Sequence, residues 1–168
     1  LMVNPLELNG TLLLSNTNSI LKTNNIDVTI KGNLTNNGNS ICYDFGTNQT
    51  TFNGGVQSVN GSAATNFYDL IVNPVTSLAL NHNATVNHDL LLSSGSLVCG
   101  NYAVYLARNL TNNATYTDSQ YGVILNGTSG RQEISGTGTF GRLELNNNDG
   151  ATIKNSITLQ KDLVLTKG

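Results

Sequence analysis

An all-β fold, specifically a parallel β-solenoid (β-helix), is what this sequence predicts, and three observations carry the prediction. Apolar residues alternate with other residues in many short runs. Asn and Gly pairs separate the runs. The runs themselves return at a long interval, so the chain repeats internally.

The alternation comes first because it fixes the element type. Val28 and Ile30, Leu70 and Val72, Leu78 and Leu80, Leu90 and Leu92, Val104 and Leu106, Leu143 and Leu145, and Leu163 and Leu165 are each spaced by two. Successive strand side chains point to opposite faces, so this period marks half-buried strands. No helical spacing persists beyond a few residues. Between the runs lie Asn-Gly, Gly-Asn, Ser-Gly and Asp-Gly pairs, residues that accept positive φ or cap their own turns.

The repeat supplies the architecture. Asn33-Leu34-Thr35-Asn36-Asn37 returns as Asn109-Leu110-Thr111-Asn112-Asn113, and Gln57-Ser58-Val59-Asn60-Gly61 returns as Gln132-Glu133-Ile134-Ser135-Gly136. Phe67 with Asp69-Leu70-Ile71-Val72-Asn73 matches Phe140 with Arg142-Leu143-Glu144-Leu145-Asn146, and Thr85-Val86 with Asp89-Leu90-Leu91-Leu92 matches Thr158-Leu159 with Asp162-Leu163-Val164-Leu165. The offset is about 73 residues. On this reading one domain spans residues 1–168, with a partial copy at 1–9, copy one at 10–94 and copy two at 95–168, and it is a segment of a longer protein. Each copy would hold three or four turns of about 20 residues, giving eight or so turns in all. A packed β-sandwich is the structural rival. An extra polar run in the first copy places an outward loop over Asn16 to Asn25.

Composition narrows the function. Charged residues make up 11% of the chain, hydrophobic ones 38%, and Asn is the commonest residue. A disordered chain of low hydrophobicity carries more charge than this. Asn suits the turns, and stacked Asn side chains can bond along a column. The net charge of −2 and scattered Lys and Arg offer no stripe for phosphates, so nucleic acid is not expected as a partner. No apolar run reaches the length of a membrane span.

The strings Gly32 to Gly38, Thr51-Phe52-Asn53-Gly54, Gln57 to Gly61, Asp69 to Asn73, Ala84-Thr85-Val86 and Leu90 to Gly95 resemble the repeats of large cell-surface proteins of Bacteroidetes. Those are adhesin-like β-helical proteins exported by the type IX secretion system. The resemblance implies a structural or adhesive stalk, secreted or held at the outer-membrane surface, serving adhesion, gliding motility or envelope architecture. Its partners would be surface glycans or other cell-surface proteins. The two alternatives are a carbohydrate-binding module and a non-catalytic part of a β-helix enzyme that acts on polysaccharides.

Candidate sites are few. A polysaccharide-cleaving site needs converging carboxylates, whereas Asp27, Asp44, Asp69, Asp118 and Asp149 are spread along the chain. The expectation is therefore no enzyme, no catalytic residue, no cofactor and no metal. Asp89 and Asp162 hold the same repeat position and read as turn-capping residues. His82 and His88 lack acidic or Cys partners at ligand spacing and read as loop residues. Of the tyrosines, Tyr102 would point inward with Val104, which leaves Tyr105 as the one candidate for surface or ligand contact. Cys42 and Cys99 belong to no CxxC pair and read as two separately buried thiols, with a disulfide between them as the alternative. The Asn-x-Ser/Thr sequons at Asn33, Asn48, Asn60, Asn83, Asn109, Asn113 and Asn126 follow from the composition. A far-UV circular dichroism spectrum of the chain should lack a helical signature; a clear helical band would reject the fold assignment.

Overall fold

The computed structural model describes residues 4–117 and 120–168. Among them there are 24 strands and no helix. All strand pairs are parallel, and the chain coils through eight turns of three strands. The first strands of the turns, β1 (Leu6–Leu8), β4 (Val28–Ile30), β7 (Gln49–Phe52), β10 (Asp69–Val72), β13 (Leu90–Leu92), β16 (Leu110–Asn112), β19 (Gln132–Ser135) and β22 (Ala151–Ile153), form one eight-stranded sheet. The second strands form another: β2 (Leu12–Leu14), β5 (Leu34–Asn36), β8 (Val56–Gly61), β11 (Ser77–Leu80), β14 (Ser96–Val98), β17 (Thr115–Thr117), β20 (Thr139–Phe140) and β23 (Thr158–Leu159).

The third face is built in two pieces. Strands β3 (Leu21–Lys22) and β6 (Tyr43–Asp44) pair with each other. Strands β9 (Thr65–Phe67), β12 (Ala84–Val86), β15 (Ala103–Leu106), β18 (Gly122–Leu125), β21 (Leu143–Asn146) and β24 (Leu163–Lys167) form a six-stranded sheet. Leu21 to Thr23 thus belong to the coil, and Thr23 is buried. Only Asn16 to Asn18 and Ile20 of the expected outward loop are fully exposed before it, and Asn24 and Asn25 make the following corner with φ of 53° and 65°.

Register explains why the alternation was so regular. Leu70 pairs with Leu90 and Leu90 with Leu110, so identical side chains sit in a column inside the coil. Val28, Thr50, Leu70, Leu90, Leu110 and Ile134 follow one another in this column, each one turn beyond the last. Ile30, Phe52, Val72 and Leu92 form the next column, and all four are fully buried. Each buried Leu or Val contributes about 1.5–3 kcal/mol relative to exposure. Leu163 and Leu165, inward by the same alternation, are 48% and 68% exposed because they lie in the eighth turn.

The single turn of three strands is therefore the structural period, and the longer offset of the sequence repeat is not a whole number of turns. Strands β5 and β16, β8 and β19, β10 and β21, β12 and β23, and β13 and β24 are the sequence-matched pairs, and each pair is eleven strands apart. Four turns would take twelve. Equivalent residues consequently land on different faces: β10 lies in the first sheet and β21 in the third.

The matched residues nonetheless do the same work on their different faces. Gln57 and Gln132 are 1% and 2% exposed. Gln57 accepts a hydrogen bond from Gly54 N (2.6 Å) and donates to Ile30 O and Gly32 O on the preceding turn (2.9 and 2.6 Å). Gln132 accepts from Gly127 N (2.9 Å) and donates to Leu106 O (3.0 Å) and Arg108 O. One side chain thus closes its own corner and ties it to the turn below. Asn36 and Asn112, both fully buried, likewise accept from Gly38 N (3.1 Å) and Ala114 N (2.9 Å) and donate to the same corner of the next turn, at Ala64 O (3.1 Å) and Thr139 O (3.0 Å). Directly above them Gly61 and Gly136 adopt φ of 121° and 103°, and a Cβ on either would collide with the backbone of the Asn below.

Two further buried groups complete the interior. Tyr43 hydrogen-bonds Thr50 Oγ1 (2.8 Å) and accepts from Asn48 Nδ2 (3.2 Å), and burial pushes its phenol up despite those bonds. Cys42 and Cys99 are both buried and no disulfide joins them, as their sequence context predicted. They precede β6 and β15, three turns apart, which at the strand spacing is about 14 Å and beyond disulfide reach.

Leu70→Asp and Leu143→Asp would each bury an unpaired carboxylate, with an expected loss of about 3–5 kcal/mol in urea unfolding. Ile71→Asp, on the outer side of the same strand as Leu70, should cost less than about 1.5 kcal/mol. Equal losses at Leu70 and Ile71 would contradict the register.

Candidate functional site

The corner between the third and first faces carries the densest set of functional side chains. Tyr68 joins β9 to β10, which opens on Asp69; His88-Asp89 ends the connection from β12 to β13, and Arg108-Asn109 ends the one from β15 to β16. Because Leu70, Leu90 and Leu110 are in register, the dipeptides before them also stack. Residues a full turn apart in sequence become neighbours.

A polar ladder climbs this corner. Asp69 Oδ1 accepts a hydrogen bond from Asp89 N, Asp89 Oδ1 from Asn109 N, and Asn109 Oδ1 from Glu133 N, each at 2.9 Å. Asp27 begins the same pattern by accepting from Gln49 N (2.9 Å). Asn33 does so for Ser58 N and Asn83 for Ala103 N at other corners, again at 2.9 Å. The Asn and Asp side chains thus accept from amides of the next turn, at Asp89 and Asn109 just before a strand and at Gln49, Ser58, Ala103 and Glu133 within the first residues of one. Asp89 is the turn-capping residue that its repeat position predicted, although it caps the next turn and not its own. The sequon asparagines Asn33, Asn83 and Asn109 are all acceptors in this system.

His88 departs from expectation. Read along the chain it had no acidic partner; in the coil its Nδ1 lies 2.7 Å from Asp69 Oδ1 and 3.6 Å from Asp89 Oδ2. Its ring stacks on Tyr68 with centroids 4.6 Å apart and planes 10° from parallel. Arg108 Nη1 is 2.6 Å from Nε2. Since Arg can only donate, Nε2 accepts, and the imidazole proton sits on Nδ1 facing Asp69. Asp69, His88 and Asp89 are the one group among the described residues whose ligand atoms converge closely enough to hold a cation, all within 4.8 Å. A search of the sequence at the spacing of one turn would have revealed the cluster, because Asp69 lies one turn before both His88 and Asp89.

Beside the ladder runs an open groove of about 480 Å³ along the outside of the first sheet. Ile71 and Leu91 lie in its lining between the polar side chains of Gln49, Asp69, Asp89 and Glu133. Tyr105 is elsewhere. It lies in β15 on the third face, half-buried, in register between Thr85 and Ile124. Its outward direction agrees with the alternation, because Val104 and Leu106 are fully buried. Tyr102, expected inward, packs against the core and stacks on His82 (5.8 Å), whereas Tyr121 is 43% exposed, so Tyr105 is not alone among tyrosines in reaching the surface. Of the carboxylates taken as dispersed, Asp27 and Asp69 share the ladder, Asp44 pairs with Lys22 (3.7 Å), Asp149 accepts from Gly130 N (3.1 Å), and Asp118 lies outside the described residues.

No protein family, curated protein or solved structure matches the chain. No helix among the described residues is long and apolar enough to cross a membrane.

Asp89→Ala should destabilise the chain by about 1–2 kcal/mol by stranding Asn109 N–H, whereas Asp89→Asn keeps an acceptor oxygen and should change stability by less than about 0.5 kcal/mol. Urea unfolding of both variants measures the difference, and equal losses would reject the ladder as a stabilising device.

Proposed function

We propose that this chain is a structural, adhesive stalk segment of a large bacterial protein that is secreted or held at the cell surface, without catalysis of its own. The observation that carries the proposal is the stacking of eight turns on one apolar core, continuous through two eight-stranded sheets. At about 4.8 Å per strand the coil is a rod of roughly 40 Å. Such a rod transmits position: it holds what lies at one end at a fixed distance from the other. Sparse charge and an Asn- and Thr-rich outer surface suit a passive, solvated shaft.

The resemblance to Bacteroidetes surface repeats supports export by the type IX route. Antibodies raised against the chain should label intact producing cells, protease shaving should remove the label, and cells lacking the type IX machinery should lose it. Labelling that needs permeabilised cells would overturn the surface assignment.

A second reading, a carbohydrate-binding surface, is favoured by one observation, the groove beside Ile71 and Leu91 with its polar edges. A glycan array separates the two: saturable binding that Leu91→Lys abolishes would make the segment a binding module, and an array without binding leaves the shaft.

A further inference from the structure

We propose that Asp69, His88 and Asp89 bind one divalent transition-metal ion of the Zn²⁺ class on the outer corner of the coil. The ligand atoms are one imidazole nitrogen, His88 Nδ1, and one oxygen from each carboxylate, and they lie within 4.8 Å of one another. All three side chains retain access to solvent, with exposures of 24%, 30% and 43% for His88, Asp69 and Asp89.

The fold prepares the site in three ways. Backbone amides orient both carboxylates: Asp89 N donates to Asp69 Oδ1 and Asn109 N to Asp89 Oδ1, which leaves Asp89 Oδ2 turned toward the imidazole. Such outer hydrogen bonds fix first-ligand geometry in metal sites generally. The Tyr68 ring fixes the plane of the imidazole. Parallel register fixes the spacing, because Asp69 and Asp89 occupy successive turns of one ladder.

The donor set selects the metal. Ca²⁺ takes six to eight oxygens, whereas imidazole with two carboxylates suits Zn²⁺, Co²⁺ or Ni²⁺ and leaves positions open for water. Binding replaces the proton on Nδ1 with the metal. The neutral imidazole then carries its proton on Nε2, where it faces the Arg108 guanidinium. Two donors cannot share that contact, so Arg108 must swing into solvent. Arg108 is exposed and sits at the edge of the cluster. It acts as a competitor that holds the metal-free tautomer.

Isothermal titration calorimetry of the full chain with ZnCl₂ tests this. One ion per chain is expected, with a matching rise in melting temperature. His88→Phe, which keeps the stack on Tyr68, and Asp89→Asn, which keeps the ladder acceptor, should each weaken binding roughly tenfold or more while the metal-free melting temperature stays unchanged. Arg108→Ala should tighten binding severalfold, and His82→Ala should leave it as it was. CaCl₂ should neither bind comparably nor displace Zn²⁺. The proposal is overturned if the parent chain takes up no Zn²⁺, if His88→Phe binds as well as the parent, if Arg108→Ala weakens binding, or if Ca²⁺ competes equally.

Discussion

Parallel pairing between successive turns is the constraint on which everything else in this molecule rests. Each strand receives its hydrogen-bond partners from the turns above and below, so the chain can close no sheet locally and must coil. Once Leu70 is registered on Leu90 and Leu90 on Leu110, the inward side chains form columns and the outward ones form parallel rows. The core, the amide ladder and the His88 cluster are three products of that single register.

Corners are where the constraint becomes expensive. The chain must round three corners in every turn of the coil, and there the backbone ladder is incomplete: His88 N and Arg108 N still donate to Tyr68 O and His88 O one turn below, while the amides of Asp89 and Asn109 beside them take side-chain acceptors instead. Two solutions recur. Outside, Asp27, Asp69, Asp89 and Asn109 accept amides from the next turn. Inside, Gln57 and Gln132 reach back to carbonyls of the turn before, and Asn36 and Asn112 reach forward to carbonyls of the turn after. The high Asn content is thus a direct consequence of stacking corners. A buried amide is costly unless all its groups are bonded, which explains why the same Gln and Asn with their glycines return together in sequence.

That return also explains an apparent mismatch between repeat and fold. A repeat of eleven strands is one short of four turns, so each copy is set round the coil by one face relative to the last. The local devices tolerate this because they need only a strand, a corner and a turn beneath them, whichever face that happens to be. Copies related in this way present different outer residues on any given side, so the shaft does not show the same surface twice in succession.

From the sequence alone came the element type, the inward residues, the coil and the approximate length of its turns, and the outward Tyr105, because alternation and turn chemistry are local and survive in one dimension. Asp89 was legible as a cap for the same reason. What the tertiary structure alone decided was which residue each cap serves, the face on which each copy falls, and the company of His88. Those depend on register between turns, which is set by how many residues each corner consumes. That number is not constant: the step from Leu110 to its partner Ile134 is longer than the step from Gln132 to Ala151. Corner lengths leave no periodic mark of their own, and so Asp69, His88 and Arg108, separated by about one turn each, meet only when the coil is wound.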